Sequence, residues 1–159
     1  MTYALDHAVV ATPVGRVRID GDALLVRQIR ILTEREPARR PDSPAVLAAA
    51  EQLEAWFEGA LRRFDVALAP PSTPRGVALR QGLIDVGYGE TITYGGLALR
   101  LASASRAIGQ LCSRNPFPIV VPCHRVRSSG GAPERYSGGE GPKTKEWLLA
   151  FEQRQIEGK

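Results

Sequence analysis

Cysteine and histidine are scarce in this chain of 159 residues, which holds only Cys112, Cys123, His7 and His124 of those two types. Two cysteines are too few for the disulfide framework of a small secreted domain, so a reducing, intracellular compartment is expected. With the cysteines eleven residues apart and only two histidines beside them, no metal-ligand spacing occurs, and neither a metal nor a cofactor is predicted. Also lacking is any uncharged apolar run long enough to span a membrane. The start, Met1-Thr2-Tyr3-Ala4-Leu5-Asp6-His7, has neither the basic region nor the apolar core of a signal peptide. A soluble, cytoplasmic protein with no membrane partner is the expectation.

Charge is present but unevenly placed. Residues 1–71 hold 9 Lys and Arg against 10 Asp and Glu, a balance of −1, whereas residues 72–159 hold 12 against 7, a balance of +5. The basic excess therefore lies in the second part, which suits a polyanionic partner there.

Hydrophobic periodicity divides the chain at the same place. Short β-like stretches at Ala8 to Ala11 and Val17 to Ile19 flank the turn signal Thr12-Pro13-Val14-Gly15. After a second turn at Gly21-Asp22, the run Ala23 to Leu32 ends in half-buried strand alternation. Glu34 to Pro44 reads as a loop, Ser43-Pro44 opens a helix by cap and N1 proline, and Phe64 to Leu68 reads as another strand. Ala69-Pro70-Pro71-Ser72-Thr73-Pro74 is the best linker. Beyond it, helices are predicted from Pro74 to about Val86, from Tyr94 behind Thr93 as N-cap, from about Ala104 to Ser113, and from Gly141-Pro142 onward. The expected fold is an α/β N-terminal domain, a small antiparallel sheet plus helix over 1–71, followed by a mostly α C-terminal domain over 72–159 with a helix-turn-helix. In that pair the second helix sets Ala104, Ile108, Leu111 and Cys112 on one side, with Ser103, Arg106, Gln110 and Ser113 on the other, so Cys112 is expected in the core.

The chemistry concentrates in Ile119-Val120-Val121-Pro122-Cys123-His124-Arg125-Val126. Three β-branched residues favour a buried strand, and Pro122 cannot donate to a ladder, so pairing is expected to stop where Cys123 begins. An ordinary cysteine, with a pKa of about 8.5, is only a few per cent thiolate at neutral pH unless nearby positive charge lowers that value. His124, Arg125 and Arg127 can supply such charge, and a cysteine that merely filled a core would have no use for them.

These residues resemble the active-site signature of the O6-alkylguanine-DNA alkyltransferases, also called methylated-DNA–protein-cysteine methyltransferases. Around it, in family order, stand Gly89-Glu90-Thr91 before Tyr94, Ser105-Arg106-Ala107-Ile108-Gly109, Asn115-Pro116, Tyr136-Ser137-Gly138-Gly139 and Lys145-Glu146-Trp147-Leu148-Leu149 with Glu152. The resemblance implies DNA repair by direct reversal. Cys123 would take an alkyl group from O6-alkylguanine in DNA, irreversibly and once, with O4-alkylthymine left open as a second substrate. His124 would receive the thiol proton through a water, since neighbours in extended chain point to opposite sides, and Glu152 would orient the imidazole. Arg125 would serve structure and electrostatics.

On the substrate side, the resemblance assigns Tyr94, Tyr136, Ser137 and Gly138 to the flipped guanine, and Arg106, with Ser105, Ala107, Gly109 and Gln110, to double-stranded DNA from its minor groove. Arg106 would fill the vacated stack. Asn115 reads equally as a tie from the recognition helix to the active-site strand and as an ordinary helix-ending Asn-Pro. A monomer is expected, with cooperative binding along DNA left open, and residues 1–71 would support the catalytic and DNA-binding half.

Departures from the family pattern fall at Arg75, Gly76 and Arg80, where an aromatic residue and a glutamine are usual, at Gln110, and at Glu134-Arg135 before Tyr136, which could narrow the pocket lip. The alternative within the superfamily is a non-catalytic or weakly catalytic lesion-binding alkyltransferase-like protein that marks damage. A cysteine hydrolase lacks an oxyanion-hole pattern here, and a plain helix-turn-helix regulator would leave His124 and Glu152 unexplained.

Overall fold

A computed structural model describes residues 3–130, 132 and 134–158. The chain divides into two compact units, Met1–Ala69 and Pro70–Lys159. In the first, β1 (Asp6–Thr12) and β2 (Gly15–Gly21) form an antiparallel hairpin, and β3 (Val26–Ile31) pairs with the other edge of β2. The turn falls on Pro13-Val14, where Val14 donates to the Thr12 hydroxyl at 3.2 Å. Alternation along β2 buries Val17 and Ile19 on one face, and α1 (Pro44–Phe57) covers it with Val46, Ala49, Ala50, Leu53 and Trp56. Burying each large apolar group of that stripe contributes about 1.5–3 kcal/mol. Ser43 makes no side-chain cap. The carboxylate of Asp6 instead accepts the Asp42 and Ser43 amides, each at 2.8 Å.

Two strand expectations change here. The third strand starts at Val26 rather than Ala23, because Asp22 Oδ1 accepts the amides of Leu24 and Leu25 at 2.9 Å and curls that stretch into a turn. Phe64 to Leu68 is not a ladder strand. Only Leu68 bridges, in parallel, to Val26.

The second unit is mostly helical. α2 (Pro74–Ile84) starts behind Thr73, whose hydroxyl accepts the Gly76 amide at 3.0 Å, and α3 (Tyr94–Arg100) starts the same way behind Thr93. Four residues join α3 to α4 (Ser105–Ser113), and α5 (Pro142–Ile156) closes the unit. Two short strands, β4 (Ile92–Thr93) and β5 (Val126–Arg127), pair in parallel. Leu83, Leu97, Ile108, Phe117, Val126 and Leu148 form the core. A Cβ on Gly82 would sit 2.3 Å from Leu101, so glycine sets the approach of α2 to the end of α3. Arg75 donates to the carbonyls of Leu101 and Ala102, and Arg80 lies 5.0 Å over the Phe117 ring. At these departures from the family pattern, where different packing was expected, Arg75 thus makes backbone hydrogen bonds and Arg80 a cation–ring contact.

The predicted strand at Ile119-Val120-Val121 is absent. These residues lie in a chain of tight turns, with Val121 N–H on Phe117 O at 2.9 Å and Cys123 N–H on Val121 O at 2.8 Å. Ile119 adopts φ +73°, a strained value for a β-branched residue. Cys123–Arg125 is one turn of 3₁₀ helix, not extended chain.

Candidate active site

Cys123 is almost wholly buried yet opens on a cavity of about 730 Å³. A single side chain explains how a turn can hold it. Asn115, just past α4, donates from Nδ2 to Val121 O at 2.9 Å and to Cys123 Sγ at 3.1 Å, while its Oδ1 accepts the Phe117 amide at 2.9 Å. One side chain therefore spans the whole turn, which explains why β propensity loses there. Burial pushes the Cys123 thiol up, against the Asn115 hydrogen bond and the field of Lys145, which pull it down.

Behind the cysteine lies a buried polar cluster. His124 Nε2 meets Glu152 Oε2 at 2.8 Å, and both side chains have no solvent exposure. Arg125 donates from Nε to Glu152 Oε1 at 3.0 Å and from Nη2 to Oε2 at 2.8 Å, and its Nη1 holds Val86 O at 2.7 Å. The Gly89 amide also donates to Glu152 Oε1 at 3.0 Å. Burial pushes the Glu152 carboxyl up, but His124 and Arg125 outweigh it and hold the group at about 2. The same burial lowers the His124 pKa despite Glu152, so the imidazole is neutral. An ionised carboxylate can only accept, so Nε2 carries the proton and Nδ1 the basic lone pair. Gly89, at φ +79°, packs so closely that a Cβ would lie 1.5 Å from Ile156 Cδ1.

Of the residues assigned from sequence, Tyr94, Tyr136 and Ser137 line the cavity with Cys123, and so do Ser105, Arg106, Gly109 and Gln110 from α4. Ala107 and Gly138 do not line it. Burial and the two thiols raise the Tyr94 hydroxyl to about 12, leaving it a donor, and the Tyr136 hydroxyl is buried with no hydrogen bond among the described residues. Cys112 is buried as expected, but it faces the cavity, and burial holds its thiol at about 12. Among the described residues no group of three or more metal-ligating side chains occurs, and no helix is long and apolar enough to cross a membrane.

Comparison with known proteins supplies the family. The model for the 6-O-methylguanine DNA methyltransferase DNA-binding domain matches residues 78–154. The methylated-DNA–protein-cysteine methyltransferase of Methanosarcina acetivorans is 36% identical over 92% of this chain and 97% of its own length. The chain belongs to the methylated-DNA–protein-cysteine methyltransferase family. This family member also matches the mouse protein of that name, at 34% identity over 95% of the chain and 82% of the mouse protein. Its fold matches the crystal structure of the Mycobacterium tuberculosis O6-methylguanine methyltransferase at TM-score 0.79, with 31% identity over 96% and 94% of the two chains. A crystal structure of the M. tuberculosis OGT in complex with DNA matches equally, at TM-score 0.79 and 33% identity over 94% and 93% of the chains.

Two features of this methyltransferase-family site escaped sequence reasoning. The carboxylate of Glu152, expected to orient His124, lies at the centre of the buried cluster. Arg125 is its principal partner. Lys145 is fully buried, donating to Val126 O at 2.6 Å and Arg135 O at 3.2 Å and ion-paired with Glu134 at 2.8 Å. Its position at i, i+3 and i+7 with Leu148 and Glu152 was the signal available.

Proposed function

We propose that this protein repairs DNA by direct reversal, taking the alkyl group of O6-alkylguanine onto Cys123 in a single, irreversible turnover. The observation that carries this reading is the Cys123 thiol at the floor of a cavity, backed by the neutral His124 and the fully bonded Glu152.

Residues 72–159 are the catalytic and DNA-binding domain, with α3 and α4 as a helix-turn-helix, and residues 1–71 support it. α4 lies against the minor groove, and Ser105, Ala107, Gly109 and Gln110 form the surface that meets the backbone. Arg106, exposed on that helix, enters the stack as the damaged guanine leaves it, which offsets part of the few kcal/mol that flipping costs. The flipped base enters the cavity, where Tyr94 donates to it and the Tyr136-Ser137-Gly138 segment faces O6.

Successive residues of a 3₁₀ turn point about 120° apart, so the Cys123 proton reaches His124 Nδ1 through a water. Glu152 stabilises the imidazolium that results. The thiolate sulfur then bonds to the alkyl carbon as the carbon–O6 bond breaks, and the electron pair passes to the purine, which takes a proton from the Tyr94 hydroxyl. A thioether has no hydrolysable bond, so the protein is spent. No cofactor enters, and the protein works as a cytoplasmic, DNA-associated monomer.

Incubation with duplex DNA carrying O6-methylguanine, followed by peptide mass measurement, tests this. One methylene is expected on the Cys123 peptide and none after Cys123→Ala. Lesion binding without any mass gain would make the protein a damage marker instead.

A further inference from the structure

We propose that Glu134 is a positioning residue for alkyl transfer that acts through Lys145, anchoring the Arg135–Ser137 wall of the cavity and offsetting the charge that Lys145 presents to Cys123. The inference rests on the alkyltransferase reading of the cavity. Glu134 Oε1 accepts the Ser128 amide at 2.7 Å and lies 3.7 Å from Arg127 Nε, while Oε2 is 2.8 Å from Lys145 Nζ. The same ammonium donates to Val126 O, directly after Cys123-His124-Arg125, and to Arg135 O, directly before Tyr136 and Ser137. One buried cation therefore ties the nucleophile's turn to the segment that walls the cavity, and Glu134 is the anion that allows the cation to stay buried.

The groups that face Cys123 narrow the electrostatic role. Asn115 from the turn is neutral, and Cys112 on α4, Tyr94 on α3 and Tyr136 on the wall are held protonated by burial. His124 is neutral, Arg125 is committed to Glu152, and Arg135 lines the cavity. Lys145 on α5 is the cation whose field draws the Cys123 thiol down. Partial burial pushes the Glu134 carboxyl up, but Lys145, the Ser128 amide and Arg127 hold it below the usual carboxylate value, so it stays charged beside Lys145.

The test is the pH dependence of Cys123 labelling by iodoacetamide, followed on its own peptide so that Cys112 does not contribute. Glu134→Gln keeps the size and one acceptor oxygen for the Ser128 amide, and it removes the charge beside Lys145. It is expected to lower the pH of half-maximal labelling by about half a unit, equivalent to about threefold faster labelling below the midpoint. Lys145→Met should raise that pH, Lys145→Arg should keep it near wild type, and Glu134→Gln should add nothing in the Lys145→Met background. An unchanged or raised midpoint in Glu134→Gln, or an equal shift in both backgrounds, overturns the proposal.

If Lys145→Met does not fold, the wall supplies the second readout. Glu134→Ala should change the ratio of transfer rates from O6-benzylguanine and O6-methylguanine in duplex DNA by about threefold or more, and an unchanged ratio overturns the anchoring role. A wild-type protein that shows the labelling pattern but transfers no alkyl group would sink the repair reading and leave the Glu134–Lys145 coupling standing.

Discussion

The two sides of Cys123 treat polar groups in opposite ways. Behind it, His124, Arg125, Lys145 and Glu152 are buried and bonded to one another, to Glu134 or to backbone, so each charge has an assigned partner. In front of it, Ser105, Arg106 and Gln110 stand exposed on α4 around an open cavity. A buried charge without a partner costs several kcal/mol, so the rear must be complete in the free protein. The front can remain uncommitted until a ligand supplies the partner. On the function proposed above, the difference separates residues that hold the thiol chemistry from residues that bring the substrate, and substitutions on the two sides should therefore fail differently.

The largest effect is expected at Glu152. Truncation to alanine leaves Arg125 buried without its carboxylate and removes the acceptor of His124, and should cost about 3–5 kcal/mol of unfolding free energy along with alkyl transfer. Chemical denaturation of the variant checks this, and a loss below 1 kcal/mol would refute the rear as a stability element. Acid should act on the same groups. The folded Glu152 carboxyl, at about 2, lies below its ordinary 4.5, and the folded His124 also lies below its ordinary value. In both cases the unfolded chain binds more protons, so stability is full above the ordinary histidine range and falls as pH drops through 6.5 and then 4.5 toward 2. Glu152→Gln should flatten the lower part of that fall.

How much of this was legible before the structure depends on distance along the chain. The hairpin, α1 and the threonine-capped helices follow local rules, such as Pro13 in the turn, Pro44 at N1, and Thr73 and Thr93 at N-caps. Cys123, His124 and Glu152 were legible through the motif around them. The turn at 117–122 was not, because Ile119-Val120-Val121 carries strand propensity that Asn115 overrides from outside the window. The pairing of Lys145 with Glu134 stayed hidden for the same reason, since the two lie eleven residues apart in sequence, and a lysine on a helix normally faces water.

Arg106 should show the opposite behaviour to Glu152. It is exposed on α4, so Arg106→Ala should change unfolding free energy by less than about 0.5 kcal/mol. Transfer from duplex DNA should nevertheless slow by about tenfold to a hundredfold, the share of a few kcal/mol of flipping cost that the side chain offsets. Free O6-benzylguanine needs no flipping, so its rate should be unaffected. Equal slowing on both substrates would move Arg106 from the capturing side to the chemistry.

The smallest effect, and the sharpest on the contrast, is expected at Gly109. A Cβ there meets nothing within 4 Å, and the residue sits inside α4. Alanine should therefore raise unfolding free energy by about 0.5–1 kcal/mol, because it stiffens the unfolded chain and favours the helix. If the DNA backbone packs against this turn of α4, the same methyl group intrudes on it, and transfer from duplex DNA should slow severalfold while labelling of Cys123 by iodoacetamide stays unchanged. A variant more stable yet slower only on DNA marks Gly109 as a residue kept for contact rather than folding. One that is more stable and equally fast would remove it from the DNA-facing surface.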